Sequence, residues 1–259
     1  MGKTTIHCVR HAQGYHNLNE ANHQIHDPDL TTLGEQQCAT LSQTFPYHSK
    51  VTHLVASPLR RTLYTCLLSF PAEVQAGLKV AALPELQETS DLPCDTGSEP
   101  SVLAAEFASG KFAGSVDLEL VKEGWNNKQG RWSPAGSAIE ARARDARIWL
   151  RNLAQSTGGD ADIAVVTHGG YLHYFTEDWE GNEKFTGTGW ANTEFRSYEF
   201  LSATDEAASL VETRESRERR KGTEKPLSAD EQRELKAAAE REWRDSGFQS
   251  GSGAENAKL

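Results

Sequence analysis

The chain has 259 residues and a formal net charge of −10, with 37% hydrophobic and 25% charged residues. This length can bury a core without disulfides or metals, and the negative charge disfavours a general binder of nucleic acids or of anionic membranes. No apolar run reaches about 18 residues, the length of a membrane-spanning helix, so we expect no nucleic-acid partner and no membrane partner.

Strand and helix patterns alternate along most of the chain. Short β-rich or apolar segments predict strands at residues 5–10, 51–57, 79–83, 163–166 and 195–201. Helix patterns lie between them, at residues 32–45, 58–68, 137–153 and 171–179. This alternation is typical of an α/β domain, and we predict a three-layer α/β/α sandwich with a mostly parallel central sheet.

Four local signals predict where helices begin. A Ser or Thr followed three residues later by Glu forms a capping box, as in the pairs Thr32/Glu35, Ser137/Glu140 and Ser228/Glu231. Pro58 is predicted to be the first residue of another helix, because proline has no backbone N–H to leave unpaired there.

Two regions depart from the alternation. Residues 89–134 are rich in Gly, Ser, Asp and Asn and are predicted to form a lid-like insertion in a catalytic domain of residues 1–211. Residues 212–259 are predicted to form a charged helical tail. Within it, residues 212–225 mix both signs of charge without an apolar stripe, which indicates a solvated linker or frayed helix, and the Gly/Ser-rich residues after Ser246 are predicted to be disordered.

Chemically active side chains follow three of the predicted strands. Arg10 and His11 end the first, Arg60 and Arg61 follow the second, and His168 follows the buried fourth. The carboxyl ends of parallel strands share one sheet edge, where ligands bind in such folds. Arginine is matched to phosphate oxygens and a neutral imidazole can be a nucleophile, so this edge is predicted to bind a phosphoryl group.

The order of these motifs resembles the histidine phosphatase superfamily, which includes the cofactor-dependent phosphoglycerate mutases. The matching segments are VRHAQGYHN, DPDLTTLGEQQ, SPLRRTLYT and VVTHGG. Together they cover residues 4 to 200, and the tail lies outside the resemblance. The segments VTHGGYLHYFTEDW and TGWANTEFRSYEF further resemble the fungal phosphoglycerate-mutase-like branch.

The resemblance implies a role for each matched residue. His11 would attack phosphorus and become phosphohistidine. The phosphoryl oxygens would be held by the remaining matched groups, Arg10, Asn17, Arg61, His168 and Gly169. Because only one of two adjacent arginines can face a pocket from a helix, Arg60 is predicted to be solvated. For Asn17 the phosphate-ligand role is favoured over that of a plain turn residue.

The resemblance also implies a carboxyl group that protonates the leaving oxygen and later activates water. Two segments after the third strand fit, LPE with Glu85 and LQE with Glu88. We favour Glu88, which precedes a polar loop, while Asp91 and Asp95 remain alternatives.

Departures from the family pattern favour hydrolysis over mutase chemistry. Ala12 replaces the usual glycine and Gln13 the usual glutamate. In residues 89–134 we find no Arg-Arg pair or lysine that resembles the substrate-carboxylate site of the mutases. Nothing evident in the sequence would keep water from the phosphorylated intermediate.

Three other interpretations of the sequence are weighed against this one. The nine histidines lack the spacing of a zinc site, so no metal or other cofactor is predicted. Cys94 has no neighbouring base in the sequence and is predicted to be an inert thiol. Aromatic residues of the insertion would either pack on the sheet or form a lid that favours an apolar leaving group: Phe107, Phe112, Trp125 and Trp132.

The sequence thus predicts a metal-independent phosphomonoester hydrolase whose partner is a small phosphorylated substrate. The alternatives are a mutase-type phosphotransferase and a catalytically silent phosphate-binding module. Four scattered cysteines and an N-terminus without a signal-peptide pattern predict a cytoplasmic or nuclear location. The sequence does not determine the oligomeric state or the substrate.

Overall fold

The computed structural model describes residues 2–181 and 188–249. Its strands are β1 (Thr4–Arg10), β2 (Val51–Ala56), β3 (Val80–Ala82), β4 (Val116–Asp117), β5 (Ala161–Thr167), β6 (Phe195–Phe200) and β7 (Leu210–Glu212). Its helices are α1 (Thr32–Thr44), α2 (Arg60–Ser69), α3 (Pro71–Gln75), α4 (Pro100–Glu106), α5 (Gly136–Ser156), α6 (Gly169–Thr176), α7 (Arg214–Lys221) and α8 (Ala229–Asp245). Every strand and helix predicted from the alternation is present, with ends shifted by a few residues.

The strands form one seven-stranded sheet in the order β4-β3-β2-β5-β1-β6-β7. Neighbours from β4 to β1 are parallel, whereas β6 is antiparallel to both β1 and β7. The predicted mostly parallel sheet is confirmed. Because β2, β5 and β1 lie side by side, the residues that follow them meet at one edge of the sheet.

Two apolar cores cover the two faces of the sheet, which makes the fold a three-layer sandwich as predicted. Along β5, Ile163 and Val165 face the core formed with α5 and α6, while Ala164 and Val166 face the core formed with α1 and α2. Successive side chains of a strand point to opposite faces, so a strand covered on both sides is apolar throughout. This explains the uninterrupted apolar run in β5.

The capping signals were right at one helix and wrong at two. Ser228 and Glu231 form the predicted capping box at the start of α8. In α1 the cap is Thr31 rather than Thr32, since its side chain accepts the backbone N–H three residues later. In α5 the helix begins at Gly136 without a side-chain cap, so the predicted Ser137/Glu140 box lies inside the helix. A three-residue spacing recurs within any helix and does not by itself mark the first turn.

The start of α2 also differs from the prediction. The helix begins at Arg60, after an extended Leu59, so Pro58 precedes the helix instead of opening it. The consequence is that Arg60 and Arg61 lie in its first turn, directly beside the sheet edge.

Residues 89–134 contribute to the sandwich itself. This segment contains α4 and β4, and β4 extends the sheet beside β3. Trp125 is buried in the core against α2, and its indole N–H donates to the carbonyl of Ser98 at 3.2 Å. The two-residue β4 is too short to give a sequence pattern, which is why the prediction missed it.

The charged tail is folded against the domain. Residues 214–221, predicted to be a linker or frayed helix, form α7, where Arg217 and Arg220 pair with the buried carboxylate of Glu180 at 3.1 Å. Helix α8 packs Ala239 and Trp243 on the core of α5 and α6. The prediction of disorder after Ser246 is wrong for residues 247–249, where Gln249 is buried, and residues 250–259 lie outside the described residues.

Among the residues that the structure describes, no helix is both long and apolar enough to cross a membrane.

Candidate active site

A cavity of about 430 Å³ opens at the predicted sheet edge. Its inner wall contains Arg10, His11, His16, Asn17, Glu88, Asp95 and Gly170, and its outer wall contains Glu20, His23, Leu92, Glu242, Trp243, Ser246 and Phe248. Each wall draws on distant parts of the chain. Of the ionisable groups that the sequence predicts to act on phosphate, Arg10, His11 and Glu88 line the inner wall.

His11 is fixed by the sheet. Its backbone N–H donates to the carbonyl of Thr167 at 2.9 Å, which extends the pairing of β1 with β5 by one residue. Its ring Nδ1 lies 2.7 Å from the carbonyl oxygen of Ala12. A carbonyl can only accept a hydrogen bond, so Nδ1 carries the proton and Nε2 keeps its lone pair. Nε2 is the nitrogen that can attack.

His11 is buried, and its pKa is lowered well below 6.5. Burial is the largest cause, followed by the positive charge of Arg61, by His16 and by Arg10. The imidazole therefore stays neutral at neutral pH. A neutral imidazole is the form required of a nucleophile.

Arg61 is buried behind the cavity wall. Its Nη1 donates to the carbonyl of Cys94 at 2.6 Å, and its Nη2 donates to Asp95 Oδ1 at 2.8 Å. The adjacent Arg60 points outward instead and binds Glu106. Arg60 is thus partly buried in ion pairs rather than solvated as predicted, and Arg61 does not line the cavity.

His168 also lies behind the wall, with its ring 5.2 Å from that of His11. Arg61 Nη2 donates to His168 Nδ1 at 3.0 Å. Nδ1 is then an acceptor, so Nε2 carries the proton and donates to Ser57 Oγ at 2.9 Å. Burial and Arg61 lower the pKa of His168 well below 6.5, and the ring is neutral.

The cavity geometry distinguishes among the candidate proton donors. Glu88 lines the cavity, and its Oε1 accepts the backbone N–H of Tyr171 at 2.9 Å, at the start of α6. Glu85 instead binds Arg131. Asp95 lines the cavity but is paired with Arg61, and Asp91 is exposed. Glu88 is the carboxyl group best placed to meet a ligand.

The pKa of Glu88 is raised above 4.5, mainly by burial and then by the negative charge of Asp95. Backbone N–H groups of Thr89 and Gly170, together with Arg61, oppose this rise. The net effect favours the protonated carboxyl group, which is the form that donates to a leaving oxygen.

Two basic residues hold the chain beneath Glu88. The buried Arg142 on α5 donates from Nη1 to the carbonyls of Glu85 and Gln87, at 2.8 and 2.7 Å. Lys128 Nζ donates to the Glu88 carbonyl at 3.4 Å, and burial lowers the Lys128 pKa to about 7. Neither residue was found from the sequence, because their partners are backbone carbonyls.

Sequence reasoning also missed His16, whose ring lies 5.3 Å from that of His11. Burial lowers the pKa of His16 to about 2, with Arg61 and Arg10 as further causes. Its Nδ1 is buried and has no hydrogen-bond partner among the described residues. Its position beside Asn17 in the first motif was the available signal.

Asn17 and Gly169, which were also predicted to bind the phosphoryl oxygens, differ in position relative to the cavity. Asn17 lines the cavity, but its Oδ1 accepts the Gly14 backbone N–H at 3.0 Å, as in a turn. Gly170, rather than Gly169, lines the cavity. A Cβ at Gly169 would lie 2.0 Å from Thr188 Oγ1, so the glycine there permits close packing. Ala12 is accommodated, fully buried at the turn after β1.

The thiol and the metal hypotheses can be compared with the geometry. Burial raises the pKa of the Cys94 thiol to about 12, which agrees with an inert thiol. Within residues 2–181 and 188–249, no group of three or more His, Cys, Asp or Glu side chains has the arrangement of a metal site.

The aromatic side chains at the cavity are not those of residues 89–134. Trp125 and Phe107 are buried in the core against α2, and Trp132 lies outside the cavity wall. The expectation that these residues form an aromatic lid is wrong. Trp243 and Phe248, from the end of α8 and just beyond it, line the cavity in their place.

Three buried neutral histidines at the site, His11, His16 and His168, predict an acid-sensitive fold. As the pH falls below about 6.5, unfolded chains gain protons on these rings that the folded protein does not. The free energy of unfolding should therefore fall by up to about 1.4 kcal/mol per pH unit for each histidine. Urea unfolding at pH 7.0 and 5.5 measures this slope. His16→Gln should make it shallower, with the exposed His26→Gln as control, and equal stability at both pH values would contradict the neutral assignments.

The chain resembles known proteins in sequence and in fold. The model of the histidine phosphatase superfamily (branch 1) matches residues 6–214. "Phosphoglycerate mutase-like protein 1" of Arabidopsis thaliana is 39% identical over 207 residues, covering 66% of this chain and 70% of the relative. A second Arabidopsis thaliana relative, "Phosphoglycerate mutase-like protein", is 29% identical over 209 residues, covering 65% and 72%.

Solved structures resemble the fold at low sequence identity. The ecdysone phosphate phosphatase of Bombix mori has a TM-score of 0.53 and 13% identity, covering 76% of this chain and 89% of that chain. A phosphoglycerate mutase from Bacillus anthracis has a TM-score of 0.50 and 15% identity, covering 82% and 92%. A phosphatase and a mutase thus share this fold.

Proposed function

From its membership of the histidine phosphatase superfamily, to which this chain belongs, we propose that the protein is a phosphomonoester hydrolase. The reaction needs no metal and proceeds through a phosphohistidine at His11. The substrate is a small phosphorylated metabolite.

The state of His11 carries this proposal. Its Nδ1 donates to the Ala12 carbonyl, which leaves the Nε2 lone pair for attack, and the ring is held at a sheet edge beside Arg10 and Glu88. Phosphoryl transfer asks chiefly for an aligned nucleophile and for positive charge around the phosphoryl oxygens. Both are supplied here by protein groups.

The reaction has two steps. In the first, Nε2 attacks phosphorus, the bond to the ester oxygen breaks, and the Glu88 carboxyl proton passes to the leaving alkoxide. In the second, Glu88 takes a proton from water, whose oxygen attacks the phosphohistidine and releases inorganic phosphate. His11 and the protonated Glu88 are then restored, so atoms and protons balance.

Arg61 would join the phosphoryl oxygens by exchanging partners. In the structure its Nη2 donates to Asp95 Oδ1, and a phosphoryl dianion seated against His11 would compete for that donor. Arg10, Asn17 and His168 complete the set of groups that we propose for the phosphate. His16, with an unpartnered buried nitrogen, adds a third imidazole to this set.

The cavity wall favours hydrolysis over mutase chemistry. The described wall of the cavity contains no lysine or arginine from residues 89–134. A mutase needs positive charge there to hold the carboxylate of phosphoglycerate while the phosphoryl group changes position.

Phosphate release from 4-nitrophenyl phosphate in the presence of EDTA tests the proposal. Release by the wild type, with a phosphorylated histidine detected by mass spectrometry after acid-free quenching, would support it. Interconversion of 3-phosphoglycerate and 2-phosphoglycerate that depends on 2,3-bisphosphoglycerate would favour the mutase instead. Loss of activity in EDTA would overturn the metal-free mechanism.

Glu88→Gln should slow the reaction according to the leaving group. Without the acid, kcat/KM for an alkyl phosphate should fall by about 100-fold or more, while 4-nitrophenyl phosphate, whose leaving oxygen needs no proton, should lose less than about tenfold. The raised pKa of Glu88 adds a pH signature. Alkyl phosphate turnover should decline as the pH rises through that pKa, and Glu88→Gln should remove this decline.

Glu85→Gln is the matched control, since Glu85 belongs to the same segment and binds Arg131 outside the cavity. Equal losses on alkyl and aryl substrates in Glu88→Gln would exclude Glu88 as the acid.

A further inference from the structure

The outer half of the cavity is built by the C-terminal tail. Glu242, Trp243, Ser246 and Phe248 form one side of it, opposite the helical turn at Glu20–Gln24. The match to the family model ends at residue 214. Helix α8 and the residues after it therefore lie outside the matched region.

The tail is seated on the domain by specific contacts. Gln232 Oε1 accepts the Trp179 backbone N–H at 2.7 Å. At the other end, the Tyr174 hydroxyl oxygen lies 3.1 Å from Glu240 Oε1 and 3.1 Å from Gln249 Oε1, and its single proton can be donated to either acceptor. The Trp243 ring lies 5.9 Å from that of Trp179. These contacts place Trp243 and Phe248 at the cavity.

Phe248 closes the outer half against the domain. Its ring packs edge-on against His23, with the centroids 6.0 Å apart, so the tail and the Glu20–Gln24 turn meet over the cavity. Trp243 and Phe248 are only partly buried, and each presents ring surface that a ligand can cover. Flat aromatic faces of this kind bind planar apolar groups.

The outer half of the cavity is negatively charged. Glu20 and Glu242 line it, and within the described part of the wall no lysine or arginine accompanies them. A leaving group with its own carboxylate or phosphate would meet these two acids. An uncharged group would avoid that repulsion.

We propose that the tail forms a leaving-group subsite that selects phosphomonoesters of uncharged, planar aromatic alcohols and disfavours those of carboxylate-bearing alcohols such as glycerate. This inference rests on the proposed function, because it assigns the phosphoryl group to the inner half. It names the class of alcohol that the outer half accepts.

Three phosphate esters separate ring binding from intrinsic reactivity. Benzyl phosphate and ethyl phosphate both release primary alcohols, but only the first has a ring, and 4-carboxybenzyl phosphate adds a negative charge. In the full-length wild type, we expect kcat/KM to be highest for benzyl phosphate. Trp243→Leu and Phe248→Leu should each lower the ratio of benzyl to ethyl kcat/KM by about tenfold.

Two further variants serve as a control and as a test of charge. Trp132→Leu removes an aromatic side chain that lies outside the cavity wall and should leave the ratio unchanged. Glu242→Gln should raise kcat/KM for 4-carboxybenzyl phosphate relative to benzyl phosphate. A wild type without a preference for benzyl phosphate, or tail variants that slow the benzyl and ethyl esters equally, would overturn the subsite.

Binding of a non-hydrolysable phosphonate distinguishes failure of the subsite from failure of the proposed function. If no ester is hydrolysed, the hydrolase proposal fails. Calorimetry then measures the affinities for benzylphosphonate and methylphosphonate, which test the subsite independently of hydrolysis. Tighter binding of benzylphosphonate that Trp243→Leu abolishes would support it, and equal affinities would refute it.

Discussion

Replacing His11 with alanine should reduce phosphate release from any phosphomonoester by about 10⁴-fold or more. The substitution removes the Nε2 lone pair that attacks phosphorus in the proposed reaction. The residual charge of Arg10 would still bind phosphate. The loss should therefore appear in kcat more than in KM, and acid-free quenching should trap no phosphoprotein.

His53→Ala is the matched control for this substitution, since His53 lies in the middle of β2 and does not line the cavity. It should retain activity. A His11→Ala protein that keeps more than about a hundredth of the wild-type kcat, while circular dichroism shows it folded, would rule out a phosphohistidine at this position.

Replacing Arg61 with methionine should damage both catalysis and stability. We expect kcat/KM to fall by about 10³-fold, because a pre-oriented donor for the phosphoryl oxygens is lost. The free energy of unfolding should fall by about 3–5 kcal/mol, because the Asp95 carboxylate loses its buried partner. Activity assays and urea unfolding measure the two effects separately.

The neighbouring Arg60 and the partner Asp95 provide the controls. Arg60→Met removes a partly exposed ion pair with Glu106 and should cost less than about 1 kcal/mol. The double variant Arg61→Met/Asp95→Asn should recover much of the lost stability, because it removes the unpaired charge, but none of the lost activity. Recovery of activity in the double variant would show that Arg61 serves only to neutralise Asp95.

Much of the inner wall was predictable because it depends on strand ends. The pattern at β1, β2 and β5 is local, and parallel pairing brings their carboxyl ends together without further information. His11 reaches the cavity in this way, whereas Glu88, which follows β3, was predicted from the family resemblance. For Arg61 and His168, the sequence predicted that they lie at this sheet edge. It did not predict that they lie buried behind the cavity wall, because their hydrogen bonds to Asp95 and Ser57 depend on side-chain packing.

The outer wall was not predictable, because it depends on packing between distant segments. The spacing of Trp243 and Phe248 in the sequence does not indicate that α8 packs beside the carboxyl ends of β1, β2 and β5. The aromatic residues of 89–134 were an equally reasonable choice from composition. Trp125 is instead buried in the core, because complete burial of a large ring stabilises the fold more than partial exposure does.

Because α8 packs on the domain as a separate helix, substitutions in it can accumulate in evolution independently of substitutions at the sheet edge. The groups that we propose to act on phosphorus are held by sheet pairing and by α2 and α6, whereas the rings that we propose to face the leaving group lie on α8 and just after it, beyond an exposed connection at residues 222–226. Substitutions in that helix can alter which alcohol fits while the nucleophile and its sheet contacts are inherited unchanged. The same catalytic fold can thus acquire a new substrate through mutations confined to residues 229–249.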